Sequence, residues 1–186
     1  NKAGAKFLFA KSGEAVQKLE QSWEVEFVSG GPVLPKKFTA SKLASWTETS
    51  EEAKNFSGTA KYTTTFTKPV GTADAWRLNL GEVHETAEVF LNGKKLATLI
   101  GPTFQTIIPS SLLKQKNTLV IVVANLMANR ISYMDKNNQP WKIFYNTNMP
   151  ARKPQNAKNG IFTAAGWEPL PSGLLGPVTL TGIVYE

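Results

Sequence analysis

The chain has no cysteine, one histidine, two aspartates and three arginines among its 186 residues. The first absence removes disulfides, zinc–thiolate sites and thiol nucleophiles, and leaves the redox compartment open. No apolar run is long enough to span a bilayer; the best, residues 119–124, is strand-sized. The scarcity of arginine decides how the net charge of +7 is read. Eighteen of the 21 basic residues are lysines, scattered as singles and pairs. Base readout and bidentate phosphate binding favour arginine, so the charge is read as a solvated basic surface. Nucleic acid is not an expected partner. The chain starts at Asn1 rather than Met, so a removed targeting segment or excision from a longer chain is expected.

What is present points to one all-β domain. Trp23, Val25 and Phe27 alternate with Glu24 and Glu26, the period of a half-buried strand. Ala60, Tyr62, Thr64 and Phe66 repeat the pattern, as do Trp76, Leu78 and Leu80, which places Trp23 and Trp76 in the core. Ala87, Val89 and Leu91 share one strand face, and the following Asn92-Gly93 is the strongest short-range signal for a tight hairpin. Residues 104–108 form a further strand, with one short helical turn over 109–114. The nearly all-apolar, β-branched run 118–124 predicts a central strand buried on both faces. The last strand is 178–185.

Two regions depart from this rhythm. Residues 1–21 read as a lead-in segment, the tail of a preceding domain, with one short apolar strand at 7–10 and then a polar stretch. The sandwich proper is expected over 22–186. Within it, the connection 125–176 is about fifty residues long, rich in Asn and Pro, and weak in strand signals. Loops of that length in compact domains are usually functional or disordered. This one carries Tyr133, Trp141, Phe144, Tyr145, Phe162 and Trp167, so it reads as an ordered excursion that packs on something.

Four motifs then line up in order along residues 22–184. Residues 80–94 read LGEVHETAEVFLNGK, 56–66 read FSGTAKYTTTF, 125–131 read NLMANRI, and 171–178 read PSGLLGPV. Together these resemble the galactose-binding-like domains of glycoside hydrolases, chiefly those of family 106 α-L-rhamnosidases and of family 2. Met127 departs from the family's usual Trp, and Ser132-Tyr133-Met134 from its usual Ile-Gly-Asp. The resemblance implies an antiparallel two-sheet jelly-roll β-sandwich. It also implies a secreted or periplasmic part of a plant-polysaccharide-degrading enzyme, acting by binding carbohydrate or by supporting the catalytic domain. The large catalytic barrel of such enzymes is absent from this chain. Two rivals stand beside sugar binding: a scaffold that packs its long loop on the barrel, and a stand-alone glycosidase.

The candidate site residues are weighed against that background. Glycoside hydrolysis needs two carboxyl groups facing each other about 5 to 9 Å apart. Most of the carboxylates here lie at outward strand positions or in acidic loops, so no catalytic residue is assigned. His84 reads as a solvated turn residue, not a ligand or base. Glu82, Glu85 and Glu88 could join a structural calcium site, but a multi-carboxylate loop is missing and no metal ligand is assigned. No other cofactor is expected. Trp46, Trp141 and Trp167 fall in loops, where a flat ring can stack on a sugar or pack beneath the excursion. Asn129 and Arg130 are the polar partners for such a site, since an amide offers donors and acceptors and a guanidinium a planar fork. The same pair could instead tie down the start of the loop through backbone carbonyls.

Overall fold

The computed structural model describes residues 10–143 and 153–186. In chain order the strands are β1 (Ala10–Lys18), β2 (Trp23–Gly31), β3 (Phe38–Ala40), β4 (Ser57–Thr67) and β5 (Ala75–Asn79). Then come β6 (Glu82–His84), β7 (Thr86–Leu91), β8 (Lys94–Ile100), β9 (Gln105–Pro109) and β10 (Lys116–Ala124). The last are β11 (Ala157–Lys158), β12 (Ile161–Phe162), β13 (Gly173–Gly176) and β14 (Thr179–Tyr185). Among the described residues two α-helices interrupt them, α1 (Glu51–Lys54) and α2 (Ala128–Lys136).

Ten of these strands pair antiparallel into a four-stranded sheet, β1-β14-β5-β9, and a six-stranded sheet, β3-β2-β4-β10-β7-β8, while β11-β12 and β13-β6 form two small antiparallel pairs. Their inward positions meet in one core. Trp76, Leu78 and Leu180 come from the first sheet, and Trp23, Tyr62 and Ile121 from the second. The fold is the antiparallel two-sheet sandwich that strict alternation predicts. Trp23 and Trp76 are both fully buried, and the β7–β8 hairpin turns on Asn92 and Gly93, both at positive φ as a type I′ turn requires.

Four expectations are corrected. The sandwich begins by residue 10, not 22: β1 pairs along β14 from Ala10↔Tyr185 to Lys18↔Thr179, and Leu19 donates its N–H to Val178 O at 2.9 Å. A polar edge strand gains its place from backbone bonds, which no side-chain alternation announces. Of the apolar stretch 7–10, all but Ala10 lies outside the described residues. β10 is central, between β4 and β7, yet only one face is fully buried; Val120 and Val122 on the other are half-buried. His84 ends a short strand, with Gly173 opposite, and does not sit in a turn. The excursion holds a two-turn helix, α2, whose buried positions are Asn129 and Ser132. A polar inner face leaves no hydrophobic period to read.

One glycine pair is forced by packing. Gly30 and Gly58 face each other across β2 and β4, at φ +134° and +159°, beneath the Phe56 ring. A Cβ on Gly58 would lie 2.1 Å from Ser29 O and 2.6 Å from the ring.

Candidate functional site

The excursion is built outward from the end of β10 by two asparagines four residues apart, Asn125 before α2 and Asn129 in its first turn. Asn125 accepts the Gly58 N–H at 2.9 Å and donates to Phe56 O and Ser172 Oγ, each at 3.0 Å. Asn129 exchanges a reciprocal pair with Leu170, donating to its carbonyl and accepting from its N–H, both at 2.8 Å. These amides clamp the start of the excursion to its end. Arg130 projects over Gly31, where an added Cβ would sit 2.7 Å from Nη1. Its Nε is buried without an acceptor.

Farther out, Asp135 organises the middle of the excursion. Its carboxylate accepts from Trp141 Nε1 at 3.0 Å, from the Thr163 hydroxyl, and from the Ala164 N–H at 2.8 Å. Lys142 Nζ lies 3.1 Å away, and the pair is largely shielded, with 19% and 12% of the two side chains exposed. Burial pushes the carboxyl upward. The bonds from Thr163, Trp141, Lys142 and Ala164 outweigh it and hold the group down at about 2. Around this hub three aromatic rings meet edge to face. Phe162 stands 6.0 Å from Trp141 and 5.8 Å from Trp167, at 79° and 70°. The Trp167 indole N–H is used too, on Asn156 Oδ1 at 3.1 Å.

The structure thus sorts the five sequence-derived candidates. Trp141 and Trp167 come together across Phe162, each half-buried. Asn129 and Arg130 lie at the root of the excursion, and the Asn129 amide serves the chain's own backbone. Trp46 is the correction. It is fully buried, edge-on to Phe27 at 5.4 Å and Phe56 at 6.0 Å, and has no face left for a sugar. The closing motif explains why. Trp46 N–H donates to Ser172 O at 3.0 Å, and Gly173 backs onto the indole, where a Cβ would come within 2.7 Å. Sequence reasoning missed Asp135, whose only signal was being one of two aspartates in an aromatic-rich stretch. Phe144 and Tyr145 lie outside the described residues.

The acidic cluster near β6 is small. His84 Nε2 lies 2.8 Å from Glu82 Oε1, and Nδ1 lies 3.6 Å from Glu85 Oε1. Among the described residues no group of histidine and carboxylate side chains could hold a metal ion, so the calcium idea gains no ligand set. A cleft of about 330 Å³ opens between α1 and α2, lined by Asn55, Asn129, Ser132, Tyr133, Lys136 and Asn137 among others. No described helix is long and apolar enough to cross a membrane.

Comparison with known proteins gives this architecture its class. Residues 30–129 match the family described as the β-galactosidase second all-beta domain, and the chain belongs to that family of glycoside hydrolase domains. A Formosa agariphila protein with the provisional name β-glucuronidase is 32% identical over 191 residues, covering 90% of this chain and 16% of that protein. The solved rhamnosidase from Novosphingobium sp. PP1Y superposes with a TM-score of 0.68 at 26% identity, over 99% of this chain and 16% of its own. A β-glucuronidase from Ruminococcus gnavus shares the fold, with a TM-score of 0.56 at 18% identity over 95% of this chain and 30% of its own. The chain therefore spans about 16% of the length of the first two relatives.

Proposed function

We propose that this domain is a non-catalytic supporting domain of an α-L-rhamnosidase-like, plant-polysaccharide-degrading glycoside hydrolase. In this reading it packs on the catalytic domain and does not itself capture sugar through the excursion. The observation that carries this is the internal use of the candidate residues. Both excursion indoles spend their N–H groups inside the chain, the Asn129 amide clamps Leu170, and Trp46 is core. A stacking site needs open rings flanked by free donors and acceptors. An enzyme that degrades polysaccharide meets its substrate outside the cytoplasm, so in this reading the domain is secreted or periplasmic.

A second reading rests on the cleft between α1 and α2. Tyr133 and the amide oxygens of Asn55 and Asn137 line it, while the two amide groups donate to Glu51 O and Tyr133 O, both at 2.8 Å, and Lys136 Nζ donates to Trp167 O at 3.3 Å. Isothermal titration of the isolated chain with rhamnose- and galacturonate-containing oligosaccharides separates the readings. The supporting role predicts no saturable heat. Saturable binding lost in Trp141→Ala or Trp167→Ala contradicts it and restores the stacking site. Binding lost only in Tyr133→Ala establishes the cleft. Titrating at two salt concentrations removes heat from charge attraction between a basic domain and acidic pectin.

A further inference from the structure

The sequence holds two Asn-Gly pairs, and the fold treats them differently. Asn92-Gly93 joins β7 to β8 at φ 51° and 83°, and Asn159-Gly160 joins β11 to β12 at φ 53° and 77°. Both are two-residue turns with both residues at positive φ. At such a dipeptide an asparagine side chain is open to attack by the next backbone nitrogen, because glycine has no Cβ to shield it. With the turns alike, side-chain contacts decide which asparagine is attacked.

Asn92 is held in place. Its Oδ1 accepts the Thr118 N–H at 3.0 Å, and its Nδ2 donates to Asn117 Oδ1 at 3.0 Å and to Leu112 O at 3.5 Å. Bringing its Cγ against the Gly93 nitrogen breaks these bonds at a half-buried position. Asn159 is exposed, and no side-chain hydrogen bond among the described residues includes it. Nothing lies within 4 Å of where a Cβ on Gly160 would stand, so the approach is open.

We propose that Asn159 is a site of spontaneous covalent modification, and that its main product loosens the excursion. The Gly160 nitrogen attacks Asn159 Cγ. The new N–Cγ bond closes a succinimide, the Cγ–Nδ2 bond breaks, and ammonia leaves with the proton from the Gly160 N–H. Water then opens the ring. Attack at Cγ yields aspartate, and attack at the backbone carbonyl yields isoaspartate, with the chain rerouted through the side chain. No oxidant or reductant takes part.

The two products differ in consequence. Aspartate changes the charge and keeps the turn, since Asp tolerates the left-handed region. Isoaspartate inserts a methylene into the main chain, so the turn no longer sets Lys158 opposite Ile161 and Ala157 opposite Phe162. Phe162 is the ring that joins Trp141 to Trp167, and the following Thr163 donates its N–H to Asn156 O at 2.8 Å and its hydroxyl to Asp135. The altered turn therefore acts directly on the aromatic cluster and the carboxylate hub.

The test is peptide mapping by mass spectrometry of the full-length enzyme, held at mildly alkaline pH either folded or in guanidinium chloride. In the folded enzyme Asn159 should convert at least roughly tenfold faster than Asn92, with isoaspartate in excess over aspartate. In denaturant the two should convert at similar rates. No conversion at Asn159, equal rates in the folded enzyme, or the same preference for Asn159 in denaturant overturns the proposal. Hydrogen exchange on the same samples reads the consequence. Backbone amides at 161–167 should exchange roughly tenfold faster in the aged enzyme than in the fresh one, whereas fresh Asn159→Asp should match fresh wild type. Unchanged exchange in the isoaspartate form, or equal loss of protection in fresh Asn159→Asp, overturns the role given to the added methylene.

Discussion

Replacing Trp46 with alanine should cost the whole sandwich about 3–5 kcal/mol, the usual price of emptying a large aromatic site in a core. The indole is fully buried and meets Phe27 and Phe56 edge to face. The Phe56 ring in turn sits over the Gly30–Gly58 crossing, so the void forms where three chain segments converge and collapse is hindered. One term offsets the loss: the indole N–H is buried without an acceptor, and its removal relieves that cost. The measurement is chemical denaturation followed by circular dichroism. A large fall in the midpoint with an unchanged slope is expected. A variant as stable as wild type would return Trp46 to the surface and to the list of sugar contacts.

Asp135→Ala should act on a different unit. It strips the acceptor from Trp141, Thr163 and the Ala164 N–H, and leaves the Lys142 ammonium unpaired in a shielded site. Breaking such a pair by removing one partner costs about 3–5 kcal/mol. The loss should be local, because the bonds join parts of the excursion to one another and not to the two sheets. Emission from Trp141 and Trp167 should shift to the red at lower denaturant, while the strand signal keeps its midpoint. Acid should do the same to the wild type. The folded carboxyl titrates at about 2 against 3.8 for a free one, so its contribution is complete above about pH 4. It is lost as the pH falls through the folded value, and is worth roughly 2 kcal/mol. Asp135→Asn should flatten this acid dependence. An unchanged pH profile in Asp135→Asn would remove the carboxylate from its place at the hub.

These two residues also show how far the sequence could be read. The strands were legible wherever a period of two set apolar against polar, as in Trp23-Val25-Phe27, and wherever Asn92-Gly93 fixed the turn. The Asn125–Arg130 and Pro171–Val178 motifs were legible as family marks, but their task was not. Trp46 looked like a loop residue because its burial comes from Ser172 and Gly173, far along the chain. Asp135 was invisible for the same reason, its partners lying at 141, 142, 163 and 164. β1 and α2 were hidden by polarity: one is an edge strand held by backbone bonds, the other a helix that turns Asn129 and Ser132 inward. Local periodicity reports a side chain's neighbours on its own element, and these residues answer to distant ones.

The central claim is that the sandwich serves the catalytic domain by packing on it. Differential scanning calorimetry of the full-length enzyme beside the isolated chain tests this most directly. If the domains are energetically joined, the sandwich unfolds in the full enzyme at a distinctly higher temperature than alone, within or coupled to the catalytic transition. A separate transition in the full enzyme, at the melting temperature of the isolated chain, would contradict it.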